Sequence, residues 1–267
     1  MARSIDRLKA FEPPEGYYLA FSGGKDSQCI YHLAMEAGVK FDAHYSLTTV
    51  DPPELVQFIK KNYPNVEVIR PKETMWQLIP RKLMPPTRIV RYCCDVLKEG
   101  GGNGRVTVTG VRWAESARRK QWGIMTLNAQ TKKQIKLMND NEESRKLLEQ
   151  CVMKSKHVLN PILDWKDEDV WEYLNSRGLP HCCLYDQGYK RLGCIGCPMN
   201  SNAVQELEKY PTYKRAYIRA FTKMIEIRKQ RGLKMVWETG EEVMDWWLYG
   251  KGESEEYEGQ IEIDDSE

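Results

Sequence analysis

Short apolar and β-branched runs alternate with amphipathic stretches along the first 110 positions of the chain. Residues 17–21 are continuously apolar or aromatic, the pattern of a strand buried on both faces. Residues 28–37 follow with Ile30, Leu33 and Ala34 at helical spacing. Runs at 43–47, 66–69 and 105–109 predict three more strands, and 54–62 and 73–78 predict further helices. Pro52 and Pro53 stand where the first turn of a helix tolerates proline. Strands separated by helical crossovers predict an α/β fold with a doubly wound, mainly parallel sheet and helices on both faces. In such a sheet the ligand lies beyond the carboxyl ends of the strands.

The pattern breaks between 121 and 156, where Lys, Gln and Asn dominate; an inserted or mobile segment is expected there, with a helix near 141–151. Helical periodicity returns at 164–174 and again at 213–231, the longest helix. On that helix Tyr217, Ala220, Phe221 and Met224 mark one face, and Lys214, Arg215, Arg219, Lys223 and Lys229 another, which reads as a solvated surface. The expected organisation is an α/β domain over 1–200, a helical extension over 201–250, and an acidic, disordered tail over 251–267.

Charge sharpens this division. The chain of 267 residues has 40 Lys and Arg against 38 Asp and Glu, a net charge of +2. Eight of the acids fall within 252–267, where there is no base, so the body before the tail carries about +10. A basic body favours nucleotides and permits a nucleic-acid partner. With 41% hydrophobic residues the chain can bury a core. It has no apolar run long enough to span a membrane and no secretory leader at its start, so a cytoplasmic protein is expected.

The most specific motif is Ser22-Gly23-Gly24-Lys25-Asp26-Ser27, set between the first strand and the first predicted helix. Two glycines let the backbone approach an anion, and helix-start amides, two hydroxyls and a lysine complete a cradle for phosphate. The spacing is not that of a Walker loop. Eight cysteines add a second candidate site. Cys29 and Cys151 lack partners at ligand spacing, and Cys182 and Cys183 read as packing residues. Cys93-Cys94 and Cys194-Ile195-Gly196-Cys197 stand apart. Spacing alone leaves an iron–sulfur cluster and zinc both open for this quartet.

The Ser22–Ser27 motif resembles the pyrophosphate loop of the adenine-nucleotide alpha-hydrolase superfamily, which includes ATP pyrophosphatases, tRNA thiolases, FAD synthetases and phosphoadenosine phosphosulfate (PAPS) reductases. The Cys-Cys…Cys-x-x-Cys order is similar to that of the cluster-containing PAPS reductase-like members. That likeness implies a 4Fe–4S cluster on Cys93, Cys94, Cys194 and Cys197. Residues 109–119 resemble the group's Gly-x-Arg-x-x-Glu-Ser-x-x-Arg segment, which implies that Gly110, Arg112, Ser116 and Arg119 meet phosphate or sulfate oxygens. Residues 160–171 and 184–194 resemble its later blocks, the first structural and the second facing the ligand. Thr48 to Glu54 sits where a second nucleotide loop would be, with divergent wording.

The resemblance also has a departure. Assimilatory sulfonucleotide reductases attack with a cysteine near the carboxyl terminus, and here no cysteine follows Cys197. The expectation is therefore ATP cleavage to AMP and pyrophosphate with Mg²⁺, Lys25, Asp26 and Arg112 being the catalytic candidates, followed by cluster-assisted sulfur transfer to an acceptor. A sulfur-donor or thioredoxin-like partner is implied. The alternatives are a PAPS or adenosine phosphosulfate reductase using Cys182, Cys183 or a partner's thiol, and a nucleotide- or redox-sensing module without turnover.

Overall fold

The computed structural model describes residues 1–98, 100–117, 119–128, 134–137, 156–234 and 236–250. Its strands are β1 (Tyr17–Ala20), β2 (Phe41–Ser46), β3 (Glu67–Ile69), β4 (Val106–Val108), β5 (Met125–Asn128), β6 (Gln134–Leu137) and β7 (Lys156–Leu159). They form one sheet in the order β3-β2-β1-β4-β7-β5-β6. The first five in that order run parallel, while β5 lies antiparallel to both β7 and β6. The doubly wound α/β expectation holds, with an antiparallel edge added.

Between β1 and β3 lie α2 (Lys25–Ala37) and α3 (Pro53–Asn62); α4 (Met75–Lys82) and α5 (Tyr92–Leu97) connect β3 to β4. The chain thus winds from β1 outward to β3, then returns to lay β4 on the other side of β1. The reversal between β1 and β4 is the switch point at which such sheets open a crevice.

Two buried apolar clusters hold the fold. The larger joins the sheet to α2, α3, α1 (Ala2–Ala10) and α6 (Asp167–Ser176), with Leu19, Ile30, Leu33 and Val170 fully buried. The smaller joins α4 and α5 to α8 (Pro211–Gln230) and α9 (Gly240–Tyr249) through Leu78, Ile79, Phe221 and Met224, with α7 (Ala203–Lys209) adding Leu207. Arg215, Arg219, Lys223 and Lys229 lie on the exposed face of α8, as expected of a solvated surface.

Several elements differ from the sequence reading. The first helix begins at Lys25, three residues earlier than predicted, because Gly24 is extended and serves as its N-cap. Helix α1 was not predicted; it is anchored by Arg7, which donates to the Pro161 carbonyl at 2.9 Å and to both oxygens of Asp164 at 2.7 and 3.1 Å. Part of the segment expected to be irregular forms β5, β6 and β7. The predicted helix at 141–151, Cys151 and the tail at 251–267 lie outside the described residues.

Candidate functional site

The Ser22–Ser27 turn leaves β1 at the switch point and becomes the first turn of α2. Gly23 has φ +72°, and a Cβ there would lie 2.7 Å from Ile59 and 2.8 Å from Leu55 on α3. Only glycine meets both conditions. The turn is braced internally: Ser22 Oγ lies 3.2 Å from Ser27 Oγ, Ser27 Oγ donates to the Gly24 carbonyl at 2.8 Å, and Gln28 Nε2 donates to the Gly23 carbonyl at 3.2 Å. Gly24 caps α2 without a side-chain hydrogen bond, and the one acid of the first turn, Asp26, faces Arg112.

Across the crevice, Gly110 follows β4. A Cβ on it would stand 3.0 Å from the backbone carbon and oxygen of Asp26, so the β4 exit presses directly against the start of α2. This contact delivers Arg112, which is buried with 3% of its surface exposed. Arg112 Nε donates to Asp26 Oδ1 at 2.6 Å, and its Nη2 donates to Asp167 Oδ1 at 2.8 Å. Asp167 also meets Lys25 Nζ at 3.3 Å. Burial works to raise the Asp167 pKa, but the hydrogen bonds from Arg112 and Lys25 and their charges outweigh it, and the carboxyl is held below its usual range.

The cradle's lysine is therefore held in a network. Lys25 is buried, and its Nζ donates to the Lys190 carbonyl at 3.0 Å besides meeting Asp167. Its backbone amide donates to the Tyr185 hydroxyl at 2.8 Å, so an aromatic oxygen sits at the first amide of α2. Burial raises the Tyr185 pKa, so this oxygen stays neutral.

Beyond the network lies a second basic group. Glu115 accepts from the Arg112 amide at 3.0 Å, pairs with Arg119, and meets Arg191 at 3.3 Å. Burial first, then the charge of Arg191, lowers the Arg119 pKa. One carboxylate between two guanidinium groups leaves an excess of positive charge beside the crevice. Ser116 is exposed, and its Oγ accepts from the Arg119 amide at 3.3 Å.

The four singled-out cysteines lie in the same part of the fold, beside the Thr48–Asp51 loop and α5. Cys93 lies within electrostatic range of Cys94, Cys194 and Cys197, and Cys194 raises the pKa of Cys197 in turn. All four are free and partly exposed. The hydrogen bond from Cys93, helped by Arg91 and Lys98, lowers the Cys94 pKa, and the Cys194 charge raises that of Lys98. Four soft donors flanked by two cations suit a cluster of thiolate-bound iron in chemistry. Among the described residues no group of three or more His, Cys, Asp or Glu stands in metal-coordinating geometry. The Thr48–Asp51 loop after β2 joins this corner to the sheet: Thr48 Oγ1 accepts from Cys194 Sγ at 3.4 Å, and the Ile195 amide donates to the Val50 carbonyl at 2.8 Å.

Of the residues singled out in the sequence, Ser22 to Ser27, Gly110 and Arg112 thus come together, with Ser116 and Arg119 beside them. Asp167, Glu115 and Arg191 were not singled out individually, although all three lie in blocks that resemble the family's, that of Asp167 being read as structural and that of Arg191 as facing the ligand. Asp167 reaches Arg112 and Lys25 across 55 and 142 positions, and Glu115 reaches Arg191 across 76, separations that leave no periodic trace. Cys182 is fully buried, and burial pushes its pKa up to about 11, whereas Cys183 is exposed.

Comparison with known proteins gives the chain's family. The phosphoadenosine phosphosulfate reductase domain matches residues 16–200. An uncharacterised protein of Methanocaldococcus jannaschii is 26% identical over 223 residues, covering 80% of this chain and 47% of the relative. A second uncharacterised protein of that organism is 27% identical over 194 residues, 67% of this chain and 35% of the relative. The chain thus spans half or less of the length of these two relatives. An adenosine 5'-phosphosulfate reductase of Lysinibacillus sphaericus is 23% identical over 179 residues, 62% of this chain and 63% of that protein. A PAPS reductase structure from Candida auris, a phosphate complex, aligns with a TM-score of 0.47 at 15% identity, covering 72% of this chain and 87% of that one. With the domain matching well over half of its residues, the chain belongs to the phosphoadenosine phosphosulfate reductase domain family.

Proposed function

We propose that the chain is an adenine-nucleotide-binding enzyme that cleaves ATP to AMP and pyrophosphate, activating an acceptor for sulfur transfer assisted by a 4Fe–4S cluster. The observation that carries this reading is the Ser22–Ser27 turn at the switch point, where α2 starts on a glycine N-cap that supplies no side chain of its own. Amides of the first turn of α2 and the Ser22 and Ser27 hydroxyls would bind the β- and γ-phosphates, accompanied by Mg²⁺. Arg112, fixed by Asp26 and Asp167, would orient the loop, and Arg119 and Arg191 would face the α-phosphate.

An acceptor oxygen would then attack the α-phosphorus. The bond to the bridging oxygen breaks, and pyrophosphate leaves with the electron pair, its charge met by the loop amides and Lys25. A sulfur nucleophile later displaces AMP from the activated acceptor. Cys93, Cys94, Cys194 and Cys197 would hold the cluster, one thiolate to each iron, and an iron would be open to an incoming sulfur where one of these thiolates is displaced. A sulfur-donor protein and a cytoplasmic setting, where free thiols persist, accompany this reading. The basic body permits a nucleic-acid acceptor.

A second reading rests on the name of several relatives, adenosine 5'-phosphosulfate reductase, and on the exposed Cys183. There the thiolate of Cys183, or of a partner protein, would take the sulfo group from a sulfonucleotide, and a dithiol would release sulfite. The fully buried Cys182 does not suit that role. Anaerobic protein incubated with ATP, adenosine phosphosulfate or PAPS separates the readings. Pyrophosphate from ATP supports the first; sulfite in the presence of thioredoxin supports the second; tight binding without either product supports a sensing module.

A further inference from the structure

Ser22, Ser27, Lys25 and Tyr185 all bring side-chain donors to the phosphate turn, and the first three are already engaged. Ser22 Oγ donates to Ser27 Oγ at 3.2 Å, and Ser27 Oγ donates to the Gly24 carbonyl at 2.8 Å. Lys25 Nζ donates to the Lys190 carbonyl at 3.0 Å and meets Asp167 at 3.3 Å. Tyr185 differs. Its oxygen accepts from the Lys25 amide at 2.8 Å, and among the described residues its hydroxyl proton has no acceptor.

The segment that carries Tyr185 fixes this oxygen in place. Leu184, its neighbour, is fully buried in the larger core. The Tyr185 amide donates to the Cys182 carbonyl at 3.0 Å, and the Gly188 amide donates to the Tyr185 carbonyl at 3.0 Å. The ring stands edge-on to Trp171 of α6, with centres 5.1 Å apart, and to His181 at 6.2 Å. A Cβ on Gly24 would lie 3.4 Å from both Tyr185 Oη and Ser22 Oγ. The two hydroxyls therefore flank one point of the turn, and a single phosphate bridges such a gap with hydrogen bonds of about 2.7 Å on either side. Burial keeps the Tyr185 hydroxyl protonated, and accepting the amide's hydrogen bond polarises it into a better donor.

We propose that the Tyr185 hydroxyl is a phosphate ligand supplied to the turn by the 182–190 segment, accepting from the Lys25 amide and donating to an oxygen of a bound di- or triphosphate. The proposal rests on Ser22–Ser27 being a phosphate site. It makes the anion seat a joint product of the amino-terminal turn and a residue 160 positions away. The polarity of the first amide of α2 then reaches the anion through the tyrosine oxygen.

The test is calorimetric titration of inorganic pyrophosphate into the full chain without divalent cation, beside Tyr185→Phe. Phenylalanine keeps the ring against Trp171 and His181 and removes only the oxygen, so the near-ultraviolet circular dichroism of the two proteins should coincide. The expected result is roughly tenfold weaker pyrophosphate binding in the variant, the scale of one hydrogen bond to a charged group. A second measurement uses the native chain alone, with tyrosine carbon-13 labelled at Cζ. One resonance, absent from the variant, should shift on saturation with pyrophosphate. Equal or tighter binding by Tyr185→Phe, or no such shift, would overturn the proposal: the hydroxyl would then only fill the amide until a ligand displaces it. Native protein that binds no pyrophosphate would overturn the proposal together with the phosphate-turn reading.

Discussion

Arg112 and Asp167 are joined by a 2.8 Å hydrogen bond that ties the exit of β4 to the start of α6. The same guanidinium holds Asp26 in the first turn of α2, and the same carboxylate meets Lys25. Two cations and two carboxylates therefore fix the phosphate turn from behind. The turn's shape depends on this network as much as on its glycines.

Removing Arg112 should expose that dependence. Arg112→Ala leaves Asp26 and Asp167 without their shared partner at a site where the guanidinium is almost fully buried, and the expected loss is about 3 kcal/mol. Arg112→Lys should recover little of it, because one ammonium cannot span both carboxylates as a planar fork does. Urea unfolding of the three proteins checks this.

Gly110→Ala is predicted to damage binding through geometry alone. The added methyl would stand 3.0 Å from the Asp26 backbone and push α2 away from β4. The expected cost is about 1–3 kcal/mol in stability, with weakened ATP affinity. Calorimetric titration with ATP, beside thermal melting, separates the two effects.

Acid stability follows from the anchor of α1. Arg7 donates two hydrogen bonds to Asp164, and although burial works to raise its pKa, these bonds hold the carboxyl below the usual 3.8. A depressed folded-state pKa means stability that is present above the unfolded value and lost as pH falls through the folded one. Asp164→Asn should therefore destabilise the protein near neutrality but flatten the pH dependence of stability below about pH 4. Unfolding curves from pH 6 to pH 2 test this; parallel slopes in both proteins would count against it.

Much of this site was legible in the sequence, for local reasons. Gly23 and Gly24 between an apolar run and an amphipathic stretch announce the strand–turn–helix junction at the switch point, and the Cys-Cys and Cys-x-x-Cys spacings single out four sulfurs that lie within electrostatic range of one another. Asp167 read only as a helix start, because its partners Lys25 and Arg112 lie far away in sequence. Strands β5 and β6 escaped for another reason. Met125–Asn128 and Gln134–Leu137 are short and mix polar with apolar residues, so the pairing of β5 with β7, and of the edge strand β6 with β5, is set by the neighbouring strand rather than by their own pattern.

The cysteine corner yields a prediction that is independent of nucleotide chemistry. After anaerobic purification the protein should absorb broadly near 400 nm and contain iron and sulfide, and Cys194→Ser or Cys197→Ser should remove both. Cys182→Ser and Cys183→Ser should leave the absorbance unchanged. Stoichiometric zinc without iron would replace the cluster by a zinc site.

The proposed chemistry is tested most directly by product analysis of the anaerobic protein with ATP and Mg²⁺, beside the Lys25→Ala variant. The proposal predicts AMP and pyrophosphate in equal amounts from the native protein and neither from the variant, which should keep its fold. Sulfite from adenosine phosphosulfate or PAPS, with no pyrophosphate from ATP, would contradict it.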